Sequence, residues 1–266
     1  MGERLGFGAT AGIYAWGDDQ VLKVFRPGMS ESAVRHEAEA TAVAHSLGLA
    51  VPAVGGMLEI DGRLGIVYER LTGPTLLQSL SASPWRMVQY ARQLAELQAA
   101  LHRCPAAGLP PLRPCLREHV ERVVSLPESL KSQVLALLDS LPDGDRICHW
   151  DFHPDNVMLS ERGPVVIDWM GAALGDASAD LARTSVILRT SEVTAGRGSR
   201  ILLRLVVGIF YRQYRRRYLQ LAPTPAPLAA AWEVPVAAAR LLEQRPKVED
   251  ERLKRIVLRG LAGCRR

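Results

Sequence analysis

Cysteine is scarce in this chain and poorly placed for any framework. Cys104, Cys115, Cys148 and Cys264 are the four among 266 residues, and no two stand in C-x-x-C spacing. That argues against a disulfide scaffold or a zinc site and points to a reducing, cytoplasmic setting. Long apolar runs are missing as well. The strongest, Ile201 to Phe210, is broken by Arg204 and is too short to span a bilayer. The first twenty residues show no basic start followed by an apolar run, so no secretory signal is expected. No internal repeat or low-complexity tract appears, although Ala222-Pro223-Thr224-Pro225-Ala226-Pro227 reads as a stiff connection between helices. Apolar residues make up 48% of the chain, enough for a large core in one domain of two lobes rather than two independent domains.

Polar chemistry concentrates in one stretch, His149-Trp150-Asp151-Phe152-His153-Pro154-Asp155-Asn156, with Ile167-Asp168-Trp169 following. Asp151 and Asn156 are five apart, and Asp168 lies twelve beyond Asn156. Phosphoryl transfer uses such a set: in the kinase loop H-R-D-x-x-x-x-N the Asp accepts the hydroxyl proton and the Asn holds Mg²⁺, with a later Asp as second ligand. The surroundings fit. Arg146-Ile147-Cys148 reads as a short strand entering the loop, and Pro154 interrupts any regular ladder after Asp151. Val157-Met158-Leu159 resumes an apolar strand, Gly163-Pro164 makes a turn, and Val165-Val166-Ile167 returns to deliver Asp168. A hairpin would therefore bring Asn156 and Asp168 toward one point. Mg²⁺ favours oxygen ligands and retains waters, so one amide, one carboxylate and nucleotide phosphates form a reasonable set.

Upstream, Lys23 sits inside the apolar strand pattern Gln20-Val21-Leu22-Lys23-Val24-Phe25, where a charge needs a partner. Fourteen residues on, Glu37 lies in the helical pattern opened by Arg35, with Glu39 as the alternative partner. Before Lys23, Gly6-Phe7-Gly8-Ala9-Thr10-Ala11-Gly12 is followed by the β-formers Ile13 to Trp16 rather than by a helix, which excludes a dinucleotide fingerprint and suits a flap over phosphates. Gly17-Asp18-Asp19 turns the chain into the Lys23 strand. Leu64 to Glu69 is a further apolar strand ending at a turn.

These segments together resemble the aminoglycoside phosphotransferase and choline kinase family, small-molecule kinases on the protein-kinase fold, over essentially the whole chain. The resemblance implies an α+β, protein-kinase-like two-lobe fold: a small β-rich N-lobe over 1–72 and a larger, mainly helical C-lobe over 73–266, with the catalytic loop and metal-site hairpin at 146–168. It implies ATP (or GTP) and Mg²⁺ as cofactors and a small-molecule hydroxyl as acceptor. Asp151 would be the catalytic base and Asn156 and Asp168 the metal ligands. Lys23, supported by Glu37, would hold nucleotide phosphates, with Gly8 in the flap and the main chain near Glu69 and Leu71 holding adenine.

The chain departs from a protein kinase in having no long activation loop after Asp168. Trp169-Met170 replaces the Phe-Gly that would follow the metal Asp, and Trp150 stands where the family more often has Gly. The competing readings are a nucleotide-binding regulatory pseudokinase and a protein kinase. Asp176 and Asp180, at helix-start spacing, read as a helix N-cap or a capping pair. His102, near the end of a helical pattern marked by Met87, Ala91, Leu94, Ala95, Leu97 and Leu101, reads as a cap or solvated group. His36, His45 and His119 receive no chemistry. Residues 195–266 hold 16 Lys and Arg against 5 Asp and Glu, densest at Arg212-Gln213-Tyr214-Arg215-Arg216-Arg217. A solvated face accounts for them better than a nucleic-acid partner, and the excess makes a polycationic aminoglycoside a less natural acceptor.

Overall fold

In chain order, β1 (Arg4–Phe7), β2 (Ala11–Trp16), β3 (Gln20–Phe25), α1 (Glu31–Ser46), β4 (Val54–Ile60) and β5 (Arg63–Glu69) precede α2 (Leu76–Ala82), α3 (Met87–Leu101), α4 (Leu112–Arg122) and α5 (Glu128–Ser140). Then come β6 (Arg146–Cys148), β7 (Val157–Ser160), β8 (Gly163–Val166), β9 (Ala173–Gly175), α6 (Ala177–Thr190), α7 (Ser199–Leu221), α8 (Ala226–Arg240) and α9 (Lys247–Gly263). The computed structural model describes residues 2–8, 10–105, 107–191, 199–243 and 246–263, with side chains of α7 from residue 204 onward. Cys264, one of the four cysteines, lies outside them.

The chain forms two units. The first comprises Met1–Ser79 with Pro154–Ala172, so the hairpin that follows Asn156, expected with the second lobe, packs with the N-terminal sheet. That sheet is antiparallel in the order β1-β2-β3-β5-β4. Its β4–β5 turn has Asp61 (φ 50°) and Gly62 (φ 69°) between the paired Ile60 and Arg63. Positive φ at both central residues gives the turn whose twist matches the strands it joins, which is why Asp-Gly occurs there.

Strand parity then places the key cation. In β3, Leu22 and Val24 pack on one face with Val67, while Val21 and Phe25 pack on the other against Val34 and Ala38 of α1. Lys23 shares the second face by its two-residue period, so it points toward α1. Ser30 caps that helix, its Oγ accepting from Ala33 N at 3.2 Å. The buried stripe of α1 runs Val34, Glu37, Ala38, Thr41, so Glu37 faces the sheet, while Glu39 is exposed.

In the hairpin, Val157 pairs with Val166 and Ser160 with Gly163. The turn lies at Glu161-Arg162, and Gly163 (φ 101°) and Pro164 open β8 rather than form the turn. Ile167 N donates to Asn156 O at 3.0 Å, closing the hairpin at the end that carries Asn156 and Asp168.

The second unit comprises Leu80–His153 and Ala173–Arg266. Its core joins Leu112, Leu116, Val120 and Leu138 of α4 and α5 to Trp232, Val236 and Val257 of α8 and α9. Beneath lies the pair β6–β9, with Ile147 opposite Leu174. In α3 the buried face extends the expected spacing with Tyr90, Gln98 and Ala99. Among the described residues no helix is long and apolar enough to cross a membrane.

Candidate active site

In the first unit, Lys23 bridges two carboxylates brought from distant parts of the chain. Its Nζ donates to Glu37 Oε1 at 2.6 Å and to Asp168 Oδ1 at 2.9 Å. Tyr68 Oη donates to the same Glu37 oxygen at 3.1 Å. Burial alone would lower the proton affinity of Lys23, but the charges of Glu37 and Asp168 outweigh it and hold the ammonium above its ordinary value. The lysine is therefore a fixed cation. His36 Nε2 lies 2.9 Å from Ala172 O and ties α1 to the segment following Asp168, which draws the neighbouring Glu37 toward the same point.

Asp168 itself has φ 66°, a left-handed conformation that Asp tolerates better than most residues. Its carboxylate remains 38% exposed. The Trp169 ring is buried behind it, Nε1 donating to Val166 O at 3.1 Å, and Met170 packs against the sheet core, so the residues replacing Phe-Gly serve as an anchor. Asn156 is 8% exposed. The preceding Asp155 accepts from Thr75 Oγ1 at 2.9 Å. Thr75 also exchanges bonds with Gln78, whose Oε1 accepts from Thr75 N and whose N donates to Thr75 Oγ1: a reciprocal cap on α2.

The other expected nucleotide contacts differ in availability. Glu69 N already donates to Ala53 O, and the Glu69 side chain accepts from Ala53 N and Arg162. Gly8 N donates to Ala11 O, and Gly8 O accepts from Arg26, whose guanidinium covers the Phe7 ring at 4.7 Å. The amides of Glu69 and Gly8 are thus committed within the sheet.

In the second unit, Asp151 is set by the loop that leaves β6. Its N donates to Nδ1 of the fully buried His149 at 3.2 Å, and its Oδ2 lies 3.4 Å from His153 Nε2. Arg183 Nη2 lies 3.8 Å from Oδ1. Burial would raise the proton affinity of Asp151, but the His153 bond and the charges of His153, Arg183 and His149 outweigh it and hold the carboxyl well below its usual range.

Trp150 has φ 65°, a left-handed conformation that Gly adopts freely and a Trp does not, in keeping with the Gly expected at this position. Here the strained residue is clamped from both sides. Its N donates to Asp180 Oδ1 at 2.8 Å, its O accepts from Arg183 Nε at 2.9 Å, and the guanidinium stacks 5.4 Å above its ring. Side chains that over-determine a backbone geometry can maintain a conformation costing about 1–3 kcal/mol.

One expectation is corrected and one refined at this point. Asp176 is the cap of α6, accepting from Ser178 N at 2.7 Å, but Asp180 is not its partner. Asp180 is fully buried, accepting from Trp150 N, from Gln98 Nε2 at 3.0 Å, and pairing with His102 Nε2 at 3.0 Å. His102 is the C-cap of α3, its N donating to Gln98 O at 3.0 Å, but its side chain is not solvated: it is buried between Asp180 and Tyr218. On α7, Tyr214 and Tyr218 bond to Gln98 and His102 of the α3 region, and Arg217 pairs with Glu96 of α3. The cation beside Asp151 is Arg183, which sequence reading passed over.

This network yields two expected results. Asp180→Ala strands the Trp150 amide, Gln98 and His102, and should lower urea stability by about 3–5 kcal/mol, the range for removing one member of a buried pair. The pH dependence follows by linkage. Burial raises and the His102 bond and charge more strongly lower the proton affinity of Asp180, so its folded-state value, like that of Asp151, lies below the unfolded value of about 3.9. Their contribution is complete above that value and is lost as pH falls through the folded-state values. Thermal midpoints should thus owe no slope to these groups from about pH 5 to 8. Below about pH 4 the midpoints should fall, with a flatter acid limb in Asp180→Asn.

The model of the phosphotransferase enzyme family matches residues 3–230. Solved structures share the fold. An amicoumacin kinase in complex with AMP-PNP, Ca²⁺ and Ami aligns with a TM-score of 0.65 at 14% identity, over 98% of this chain and 88% of that one. A choline/ethanolamine kinase family protein from Mesorhizobium loti aligns at 0.62 and 18% identity, over 98% and 90%. A thermostable mutant of the aminoglycoside phosphotransferase APH(4)-Ia, in ternary complex with ADP and hygromycin B, aligns at 0.62 and 16% identity, over 98% and 91%. No curated protein matches the sequence.

Proposed function

The chain belongs to the phosphotransferase enzyme family, and from that premise we propose that it moves the γ-phosphate of ATP, or of GTP, to a hydroxyl of a small molecule, with Asp151 facing the acceptor hydroxyl. The observation that carries this reading is the Lys23 ammonium held between Glu37 at 2.6 Å and Asp168 at 2.9 Å. A buried cation fixed by one carboxylate and shared with a second, half-exposed one is suited to bind phosphates and pass the second carboxylate to a metal ion. The relatives crystallised with ADP or AMP-PNP support nucleotide binding.

Each residue then has a task. Lys23 holds the α- and β-phosphates and Glu37 keeps it in place. Asn156 and Asp168 offer one amide and one carboxylate oxygen, a hard donor set that fits Mg²⁺ and leaves positions for phosphate oxygens and water. Bound there, Mg²⁺ supplies charge neutralisation along the phosphates. Adenine recognition falls to the main chain of Leu71, since the Glu69 amide is already bonded to Ala53. Asp151 aligns the hydroxyl and takes its proton. A carboxylate held at low proton affinity is a weak base, which suits a loose transition state in which alignment matters more than early deprotonation.

Arg183, 3.8 Å from the Asp151 carboxylate, favours a neutral or anionic acceptor over a polycation. A panel of aminoglycosides and of neutral and acidic alcohols, assayed for acceptor-dependent ADP release at low and moderate salt, tests this. Release with neutral or acidic alcohols is expected. Efficient, salt-insensitive phosphorylation of an aminoglycoside would contradict the acceptor assignment while leaving the transfer chemistry standing.

A further inference from the structure

A second charged site lies entirely within the helical unit, and the catalytic groups do not use it. Between α6, α8 and α9 is a cavity of about 370 Å³ whose walls carry Arg189, Arg252, Arg255 and Arg259 against a single carboxylate, Glu233. Arg189 is already neutralised, with Nη1 at 2.8 and 2.7 Å from the two Glu233 oxygens. Arg252 spends Nη1 on the carbonyls ending α6, Thr190 O at 2.8 Å and Ser191 O at 3.4 Å. Among the described residues, Arg255 donates through Nε to Glu251 O of its own helix, and neither Arg255 nor Arg259 forms an ion pair.

Three guanidiniums at 252, 255 and 259 thus follow one face of α9 for about 10 Å at 1.5 Å per residue. Like charges three and four residues apart on a helix destabilise it when uncompensated. Close packing preserves the arrangement: a side chain at Gly260 would meet Val234 Cγ2 at 2.2 Å, so α9 and α8 approach here without room for another residue type.

We propose that this cavity binds a ligand bearing two or more phosphate groups, independently of the nucleotide site. The formal excess of three positive charges calls for a multiply charged anion, and the guanidinium fork matches phosphate oxygens two at a time. A concave wall suits a compact oligophosphate or a phosphorylated headgroup. The ligand would rest on the far end of the helix whose earlier turns carry Asp180 and Arg183.

The test uses the full chain with Mg²⁺ and saturating AMP-PNP, so that the nucleotide site is filled, and titrates inorganic tripolyphosphate calorimetrically. A parallel arm uses vesicles with and without an inositol phospholipid. One saturable site is expected, weakened at least tenfold in Arg255→Gln/Arg259→Gln, whose nucleotide affinity stays at the parent's. A control that removes one arginine elsewhere, Arg216→Gln in a separate arginine-lined cavity between α3 and α7, should bind like the parent. Loss confined to tripolyphosphate identifies a soluble ligand, and loss confined to vesicles identifies a headgroup. Absence of saturable binding in both arms, or equal weakening by Arg216→Gln, would overturn the proposal.

Discussion

Asp151→Asn should lower kcat by about 10²–10⁴-fold while leaving nucleotide affinity close to the parent's. The substitution keeps size and an accepting oxygen, so Arg183 and His153 retain an oxygen to address, but the proposed proton acceptor is gone. The loop geometry rests on Trp150, which is held through main-chain bonds to Asp180 and Arg183 that the substitution does not touch. A fall in kcat therefore reports chemistry rather than a displaced loop. Steady-state turnover with calorimetric nucleotide binding on the same preparations decides it, and near-parental kcat would remove Asp151 from the mechanism.

Asp168→Ala should abolish Mg²⁺-dependent nucleotide stabilisation and lower turnover by roughly 10³-fold or more, because it deletes the proposed metal ligand and one partner of Lys23. Ala is poorly suited to φ 66°, so part of any stability loss would be backbone strain. Asp168→Asn separates the two effects, since Asn tolerates the left-handed region and lacks the charge. In the parent, the rise in thermal midpoint with ATP should vanish on adding EDTA. If ATP stabilises both variants as it does the parent, with or without divalent metal, the metal site is misassigned.

The parts of this site visible in sequence are those encoded by local period and spacing. The strand alternation around Lys23 fixes its face, and the helical spacing of Val34, Glu37, Ala38 and Thr41 turns Glu37 inward. The hairpin between Asn156 and Asp168 follows from two apolar runs and a turn, although the turn falls at Glu161-Arg162, just before the Gly-Pro pair. What stayed hidden depends on contacts across long stretches of chain. Asp180 lies at cap spacing from Asp176, but Asp176 already fills that role, and the remaining carboxylate turns into the core to meet His102 and Gln98, some eighty residues away. Nothing near His102 announces Tyr218, which lies 116 residues away. Arg183 was indistinguishable from a surface arginine until Trp150 required a clamp. The basic excess of residues 195–266 likewise says nothing by itself about which face carries it: Arg216 and Arg217 lie on α7 beside α3, Arg252, Arg255 and Arg259 line the α9 cavity, and Arg240 is buried in α8.

The most direct measurement follows the label from ATP carrying a radioactive γ-phosphate in the presence of a responsive hydroxyl acceptor, comparing the parent with Asp151→Asn at matched nucleotide occupancy. The account predicts label in the acceptor, joined through the hydroxyl oxygen, at a rate at least about 10²-fold higher in the parent. Nucleotide bound equally by both proteins, with no label reaching any acceptor in either, would contradict it and mark the chain as a nucleotide-binding regulator.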